Sequence, residues 1–237
     1  MKRELTNSIR YIMDNWLPPV IRDNKYFMYP AFHFWFRGAY INEIMDFKRN
    51  VFYMTDAEYS GMYEKIKVRA KDRPTDMNDA CVDFSISNMD KTATTLLDVG
   101  CGRGYYLNEI AQRTQLRLTG CDMMDSIPGL NADYAKGFVE HLPFADNTFD
   151  IVTCTHTVEH ILDLKQAVNE LKRVARKQLI IVTPRQKYNY YTLDLHVNFY
   201  PIKELLLRDL GVKDALCENV GGDWVCIIDM EKERAGQ

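Results

Sequence analysis

The sequence contains neither a long hydrophobic run nor an excess of positive charge. No segment approaches the ~18 to 20 apolar residues that cross a bilayer, and the start, Met1-Lys2-Arg3-Glu4, lacks the apolar core of a secretory signal. The net charge of -3 gives no overall basic surface for nucleic acid. We therefore expect a soluble, cytoplasmic protein with no stable membrane insertion and no nucleic-acid partner.

Paired cysteines and metal-ligand spacings are also missing. None of the six cysteines belongs to a Cys-x-x-Cys pair or stands at a zinc-like spacing from histidine, and no acidic cluster suggests magnesium. Reduced thiols in a reducing compartment are the simplest interpretation, and no metal is expected. By contrast, 46% hydrophobic and 27% charged residues are typical of a folded core rather than of disorder.

The residue pattern changes near residue 92. Residues 1–91 look helical in pieces, whereas residues 92–237 alternate short apolar runs with helical patterns. Strands are predicted at 95–99, 116–121, 135–139, 149–153, 179–183 and 224–228, and helices at 75–89, 105–113 and 163–176. The predicted fold class is therefore α/β: a doubly wound, mostly parallel sheet at 92–237, with a helical extension or lid at 1–91.

The extension is unusually aromatic. Thirteen of the 28 aromatic residues fall within residues 26–63. Three interpretations are open: a helical layer packed on the sheet, a lid over a substrate, or a surface that meets a membrane or a lipid-linked substrate. Packing is the default for such a segment, and the membrane interpretation is the weakest because acidic residues are mixed with the basic ones.

A glycine-rich turn follows the first predicted strand. Gly100-Cys101-Gly102-Arg103-Gly104 lets the backbone approach a ligand closely, and a helix begins directly after it. A dinucleotide site needs its third glycine where Tyr105 stands. Asp98 at the mouth of the turn would repel a pyrophosphate but attract an ammonium group. The turn therefore favours a cationic ligand over a phosphate.

A second carboxylate specifies more of the ligand. Asp122 stands twenty residues after Gly102, at the end of the second predicted strand, where an acidic residue can accept both ribose hydroxyls. Together these features describe a nucleoside with a positively charged amino-acid arm. S-adenosylmethionine has that chemistry, so we predict it as the cofactor and S-adenosylhomocysteine as the product.

Four stretches resemble the class I S-adenosylmethionine-dependent methyltransferases, in particular the small-molecule branch with the type 11 pattern. They are residues 97–104, 120–122, 140–150 and 158–160, and the resemblance covers about residues 92–210. It implies a Rossmann-like sheet of seven strands. It also implies that Asp98 and the glycines at 100, 102 and 104 line the methionine arm, that Asp122 holds the ribose and that Met123 lies along the adenine. Cys101, in the same turn, is predicted to contact the cofactor.

The resemblance is incomplete at the adenine. Phe138 stands where the family often has an acidic residue that reads the adenine amino group. Stacking by Phe138 and a backbone contact from Val139 remain as ways to hold the base. Thr155, at the end of the fourth strand, completes the predicted cofactor set.

Two histidines are candidates for a catalytic base. His156 directly follows the fourth strand, beside the expected position of the sulfonium, although a purely structural histidine is about equally compatible with that place. His196 lies in a segment after the fifth strand whose Arg185, Tyr188, Tyr190 and Tyr191 suit a hydroxylated acceptor. A polar surface loop is the alternative interpretation of that segment.

The sequence therefore predicts an enzyme that methylates a polar small molecule, most plausibly on a hydroxyl oxygen, such as a sugar, a cyclitol or a related metabolite. Two alternatives stay open. The acceptor could be a macromolecule or a lipid-linked substrate, or the fold could bind the cofactor without chemistry. A homodimer is compatible with the sequence, which says nothing further about oligomeric state.

Overall fold

The computed structural model describes residues 11–13, 15–67, 75–191 and 194–236, which divide into two compact units. The helical unit comprises residues 1–73 together with Gln186–Phe199, and the sheet unit comprises Pro74–Arg185 together with Tyr200–Gln237. Among the described residues, no helix combines the length and the apolar character needed to cross a bilayer.

Short helices build the helical unit. Asn24 begins the most aromatic helix by accepting hydrogen bonds from the backbone N–H groups of Tyr26 and Phe27. The helices are α1 (Pro19–Arg22), α2 (Lys25–Phe36), α3 (Ile41–Met45), α4 (Phe47–Asn50) and α5 (Asp56–Lys67), with a 3₁₀ turn at Val51–Tyr53.

The aromatic excess of this unit divides between a core and a surface. Phe32, Phe36 and Met45 are buried in one cluster with Tyr191 from the 186–199 segment. Tyr26 and Phe34, which lie on the same helix as Phe32, are exposed. Packing therefore accounts for part of the aromatic segment, and its role as a lid stays a prediction.

The sheet unit contains seven strands in the order β3-β2-β1-β4-β5-β7-β6. Strands β1 to β5 run parallel to one another, while β7 is antiparallel to both β5 and β6. This arrangement confirms the predicted doubly wound fold class. The strands are β1 (Thr95–Val99), β2 (Arg117–Asp122), β3 (Asp133–Lys136), β4 (Phe149–Thr155), β5 (Ala175–Pro184), β6 (Leu216–Val220) and β7 (Asp223–Asp229).

Amphipathic helices cover the two faces of this sheet, and each face has its own buried cluster. On α7, Tyr106, Leu107 and Ile110 recur at helical spacing and are buried. The helices of this unit are α6 (Asp79–Ser87), α7 (Tyr105–Arg113), α8 (Leu164–Val174), α9 (Lys203–Leu210) and α10 (Met230–Ala235), with a 3₁₀ turn at Val158–His160.

The division between the units differs from the predicted boundary at residue 92. Helix α6 belongs to the sheet unit, because Asn78 at its start donates a 3.1 Å hydrogen bond to Asp223 and Ser85 accepts a 2.7 Å bond from Tyr106. Conversely, residues 186–199 belong to the helical unit, where the backbone N–H of Tyr190 donates to Asp23. Contacts distant in sequence decide both assignments.

Two further differences concern single elements. The predicted strand at 135–139 lies at Asp133–Lys136, and strand β6 was not located from the sequence. Cys217 on β6 and Cys226 on β7 are register partners and form a disulfide, so the expectation of six reduced thiols is wrong for this pair. The pairing follows from strand register, which the nine-residue separation alone does not reveal.

Candidate active site

The glycine turn lies at the carboxyl end of β1. In the strand order β1 stands between β2 and β4, which is where the chain reverses its direction of winding and where such sheets bind ligands. A Cβ atom on Gly100 would clash with the Thr157 side chain, and one on Gly104 would clash with Leu130 Cδ1. Packing against Thr157 therefore requires a glycine at position 100, whereas at position 104 the flexible Leu130 side chain can shift and the positive φ is the main requirement.

Gly102 differs from its two neighbours. A Cβ atom there would meet no atom within 4 Å, although φ is +54°. Its backbone N–H donates a 2.8 Å hydrogen bond to Asp122 Oδ2, and Asp122 Oδ1 accepts from the backbone N–H of Met124 at 3.3 Å. The second strand thus anchors the turn and leaves open space beside its central glycine.

Asp98 is the least compensated carboxylate at this edge. Asp98 is 1% exposed. Its Oδ1 accepts a 2.7 Å hydrogen bond from Thr153 on β4, whereas its Oδ2 has no hydrogen-bond partner among the described residues. Burial raises the pKa of Asp98 to about 7, against the hydrogen bond from Thr153, and the nearby charge of Asp122 adds to the rise. A cationic group bound here would supply the missing countercharge.

The other predicted cofactor residues occupy the same unit in different states of exposure. Phe138 is 45% exposed, so its ring is available for stacking. Its backbone carbonyl accepts a hydrogen bond from the N–H of His141. Val139 and Cys101 are buried, while Met123 and Thr155 are half-buried. Burial raises the pKa of the Cys101 thiol, which leaves it neutral. Their contact with a cofactor stays a prediction.

His156 lies between two buried carboxylates. Its Nδ1 is 3.3 Å from Glu159 Oε1, and its Nε2 is 3.6 Å from Asp223 Oδ2. Thr183 donates to the other oxygen of Glu159 at 3.1 Å. Burial alone would lower the pKa of His156, but the two carboxylates outweigh that effect and raise it to about 10.

This geometry argues against the predicted role of His156 as a base and favours the structural alternative. A histidine that keeps its proton at neutral pH cannot take one from a hydroxyl group, so the structure does not support His156 as a general base. Its backbone has φ of +49° and is held by a hydrogen bond from its N–H to the carbonyl of Val182. His156 instead holds positive charge between β4, β5 and β7.

Sequence reasoning missed Asp223, although a signal for it exists. Two glycines with positive φ, Gly221 and Gly222, join β6 to β7 as a two-residue hairpin turn. Because β7 is antiparallel, its first residue, Asp223, pairs with Pro184 at the carboxyl end of β5. The Gly-Gly-Asp sequence therefore delivers a carboxylate to the edge of the sheet where the glycine turn lies.

The predicted acceptor residues fall mostly in the helical unit. His196 is 5% exposed, with Nδ1 2.7 Å from Gln186 Oε1 and Nε2 3.7 Å from Asp194 Oδ2. Tyr188 is 52% exposed and Tyr190 is half-buried. The role of His196 as a base stays a prediction.

Two of the acceptor predictions have other structural roles. Tyr191 is buried in the core of the helical unit, with its ring edge-on to Phe32 at 6.2 Å, so packing occupies it. Arg185 belongs to the sheet unit, where its guanidinium lies 5.7 Å from the Trp224 ring and bonds the carbonyl of Pro201.

Comparison with known proteins identifies the sheet unit. Residues 97–183 match a family model described as a methyltransferase domain. A demethylmenaquinone methyltransferase of Roseiflexus castenholzii is 32% identical over 132 residues, which cover 48% of this chain and 53% of that protein. A ubiquinone biosynthesis O-methyltransferase of Saccharophagus degradans is 36% identical over 84 residues, covering 31% of this chain and 35% of that protein. The chain thus spans about half the length of these relatives or less.

A solved structure supports the fold independently. The crystal structure of an S-adenosylmethionine-dependent methyltransferase from Aquifex aeolicus superposes with a TM-score of 0.52 at 20% identity, covering 70% of this chain and 98% of that one. S-adenosylmethionine is the cofactor of the family, and the open turn at Gly102 and the unpaired oxygen of Asp98 fit a cationic nucleoside. Residues 97–183 therefore match the methyltransferase-domain family in sequence, and the sheet unit has the fold of the S-adenosylmethionine-dependent methyltransferases.

Proposed function

We propose that this protein transfers the methyl group of S-adenosylmethionine to a hydroxyl oxygen of a polar small molecule. The observation that carries the proposal is the edge formed by Asp98, Gly102 and Asp122. It offers one carboxylate for a cation, open space beside a glycine and one carboxylate for ribose hydroxyls.

The proposed reaction is a single displacement. The acceptor oxygen forms a bond to the methyl carbon as the bond from that carbon to the sulfonium breaks, and the hydroxyl proton is released. The neutral thioether S-adenosylhomocysteine remains. Such a reaction depends mainly on placing the two reactants in line, which a rigid glycine turn supports on the cofactor side.

A small-molecule acceptor is supported by two observations. Both relatives described above are named for quinones, which are small molecules, rather than for a nucleic acid or a protein. In the helical unit, Tyr188 and Tyr190 keep exposed or half-exposed rings that suit a compact polar ligand. Methylation at oxygen rather than at carbon or nitrogen is the part of the proposal that needs its own assay.

Cofactor binding is tested by calorimetry with S-adenosylmethionine. Replacing Asp122 by alanine removes both the ribose acceptor and the anchor of the Gly102 N–H, and we expect the affinity to fall at least tenfold, or about 1.4 kcal/mol. Asp125→Ala is the matched control, because that neighbouring carboxylate is exposed and pairs with Lys136. Equal affinity in Asp122→Ala and the wild type would overturn the assignment of the site.

The acceptor side is tested by turnover. Panels of hydroxylated small molecules, with transfer followed by S-adenosylhomocysteine release, identify the acceptor class, and product mass fragmentation identifies the methylated atom. His196→Ala should lower turnover while cofactor affinity is retained if this histidine is the base. Cofactor binding without transfer to any acceptor would favour a non-catalytic protein of the same fold.

A further inference from the structure

The helical unit contains a half-buried lysine without an acidic partner. Lys48, in α4, donates a hydrogen bond from Nζ to the backbone carbonyl of His196. The same nitrogen lies 4.0 Å from the centroid of the Phe199 ring and 5.3 Å from that of the Tyr188 ring. Among the described residues, no carboxylate comes within ion-pair distance of it.

Burial without countercharge has an electrostatic cost. It lowers the pKa of Lys48 to about 7, because the charged amine gives up water and gains only a carbonyl dipole and two ring faces. Lys25 in the same unit shows the ordinary arrangement, with Nζ 3.1 Å from Asp46 Oδ1. The amine of Lys48 therefore gains more than an ordinary surface lysine from an added negative charge.

The described groups around Lys48 bring no carboxylate to its amine. Tyr188 and His196 face it from the 186–199 segment, and the His196 ring is next to Gln186 and Asp194. On the side of α4, the carboxylate of Asp46 is occupied by Lys25. A bound anion would thus be the charge that the amine lacks.

Two aromatic rings lie beside the amine of Lys48. Tyr188 and Phe199 are edge-on to each other with centroids 5.2 Å apart, and Tyr188 is 52% exposed. An exposed aromatic ring next to a cation can stack with a planar ligand while the cation holds the ligand's charge.

We propose that Lys48, Tyr188 and Phe199 form a binding site for an oxyanion, carboxylate or phosphate, attached to a planar ring. As the acceptor site of the enzyme this inference rests on the proposed function, and it narrows the acceptor from a polar to an acidic, ring-bearing molecule. Because the site lies wholly within the helical unit, ligand binding to it can be measured without the cofactor and without methyl transfer.

The test uses calorimetry of the full chain with three probes that separate charge from ring. Benzoate carries both features, cyclohexanecarboxylate carries the charge without a planar ring, and benzyl alcohol carries the ring without the charge. We expect benzoate to bind most tightly and benzyl alcohol at least tenfold more weakly. Phenyl phosphate at pH 8 serves as the phosphate arm, and its affinity relative to benzoate decides between the two oxyanions.

Proton uptake distinguishes a ligand-binding lysine from a structural one. With a free pKa of about 7, roughly nine-tenths of Lys48 is neutral at pH 8, so an anion that restores its charge takes up about 0.9 proton at pH 8 but only about 0.1 at pH 6. Titrations of benzoate in two buffers of different ionisation enthalpy measure this uptake. The affinity should also fall about tenfold from pH 6 to pH 8.

Three variants complete the test. Lys48→Met keeps the length of the side chain without its charge and should lose benzoate binding at least tenfold. Lys48→Arg should bind benzoate without proton uptake at pH 8. Arg49→Met, which removes an exposed positive charge from the same helix, should behave as the wild type. Unchanged affinity in Lys48→Met, absence of proton uptake in the wild type, or no binding of either benzoate or phenyl phosphate at millimolar concentration would overturn the proposal.

The outcome is separable from that of the proposed function. S-adenosylmethionine affinity is measured on the same Lys48 variants and should not change, because no residue of this cluster belongs to the sheet unit. If the wild type does not bind S-adenosylmethionine, the methyltransferase proposal is refuted and the anion site still stands. Binding of S-adenosylmethionine without binding of benzoate or phenyl phosphate would refute the anion site and leave the methyltransferase proposal standing.

Discussion

Replacing His156 by glutamine removes the cation that two buried carboxylates share. Glu159 and Asp223 are 1% and 4% exposed, so bulk water cannot solvate either carboxylate in place of the imidazolium. Removing one member of a buried ion pair typically costs about 3–5 kcal/mol, because a charge is left uncompensated. The positive φ of residue 156 is a cost to both histidine and glutamine, so the comparison isolates the charge.

A second route gives a similar magnitude. The pKa of His156 is raised from 6.5 to about 10, and ~3.5 units correspond to at most about 5 kcal/mol. We therefore expect the free energy of unfolding at pH 7 to fall by roughly 3–5 kcal/mol. For a chain of this size, the unfolding temperature should fall by about 6–20 °C.

The pH dependence has a defined sign. A group whose pKa is raised in the folded state contributes fully below its unfolded pKa, and the contribution is lost as pH rises through the folded value. The stability difference between wild type and His156→Gln should therefore be largest near pH 6 and shrink steadily toward pH 10. Urea unfolding followed by circular dichroism across this range measures it.

Exposed His141 provides the control, since His141→Gln should change stability by less than about 0.5 kcal/mol at every pH. A difference for His156→Gln that stays below about 1 kcal/mol, or that does not depend on pH, would show that the histidine is neutral in the folded protein. The role of His156 as a general base would then have to be reconsidered.

Two further predictions concern the cofactor edge. Asp98→Asn should raise the stability of the free protein at pH 8 by about 1–3 kcal/mol, because the raised pKa of Asp98 makes its ionised form costly above pH 7. The same change should weaken S-adenosylmethionine binding at least tenfold. Lower stability of the variant in calorimetric unfolding would contradict the first expectation. Gly102→Ala and Gly129→Ala should each cost about 1 kcal/mol, because both glycines have positive φ and open surroundings, but only Gly102→Ala should reduce cofactor affinity in a parallel titration.

The local signals in the sequence were strong around the glycine turn. Helix α7 has the predicted bounds, because three glycines stop the strand and an apolar stripe begins immediately afterwards. The mutual position of Asp98 and Asp122 also followed, since parallel strands end at the same edge of a sheet. These are short-range patterns that each strand and turn carries by itself.

The missed features depend on pairing between distant segments. Strand β6 exposes three of its five side chains and lacks a long apolar run, so only its hairpin with β7 identifies it. Tyr191 looked like a ligand contact because its neighbours are polar, but its ring packs with Phe32 from a helix some 160 residues earlier. The partners of His156 were missed for the same reason, because Asp223 reaches it only through the antiparallel register of β7.

The buried charges at the cofactor edge explain why a cation suits it. Of the described residues, four carboxylates are buried at this edge, whereas the only cation is the imidazolium of His156. The carboxylates belong to Asp98, Asp122, Glu159 and Asp223. A neutral nucleoside would leave this excess of negative charge uncompensated, whereas the sulfonium and ammonium groups of S-adenosylmethionine reduce it. In the proposed reaction, transfer of the methyl group removes the sulfonium charge. The edge should therefore hold the product less strongly than the cofactor, which favours product release after each turnover.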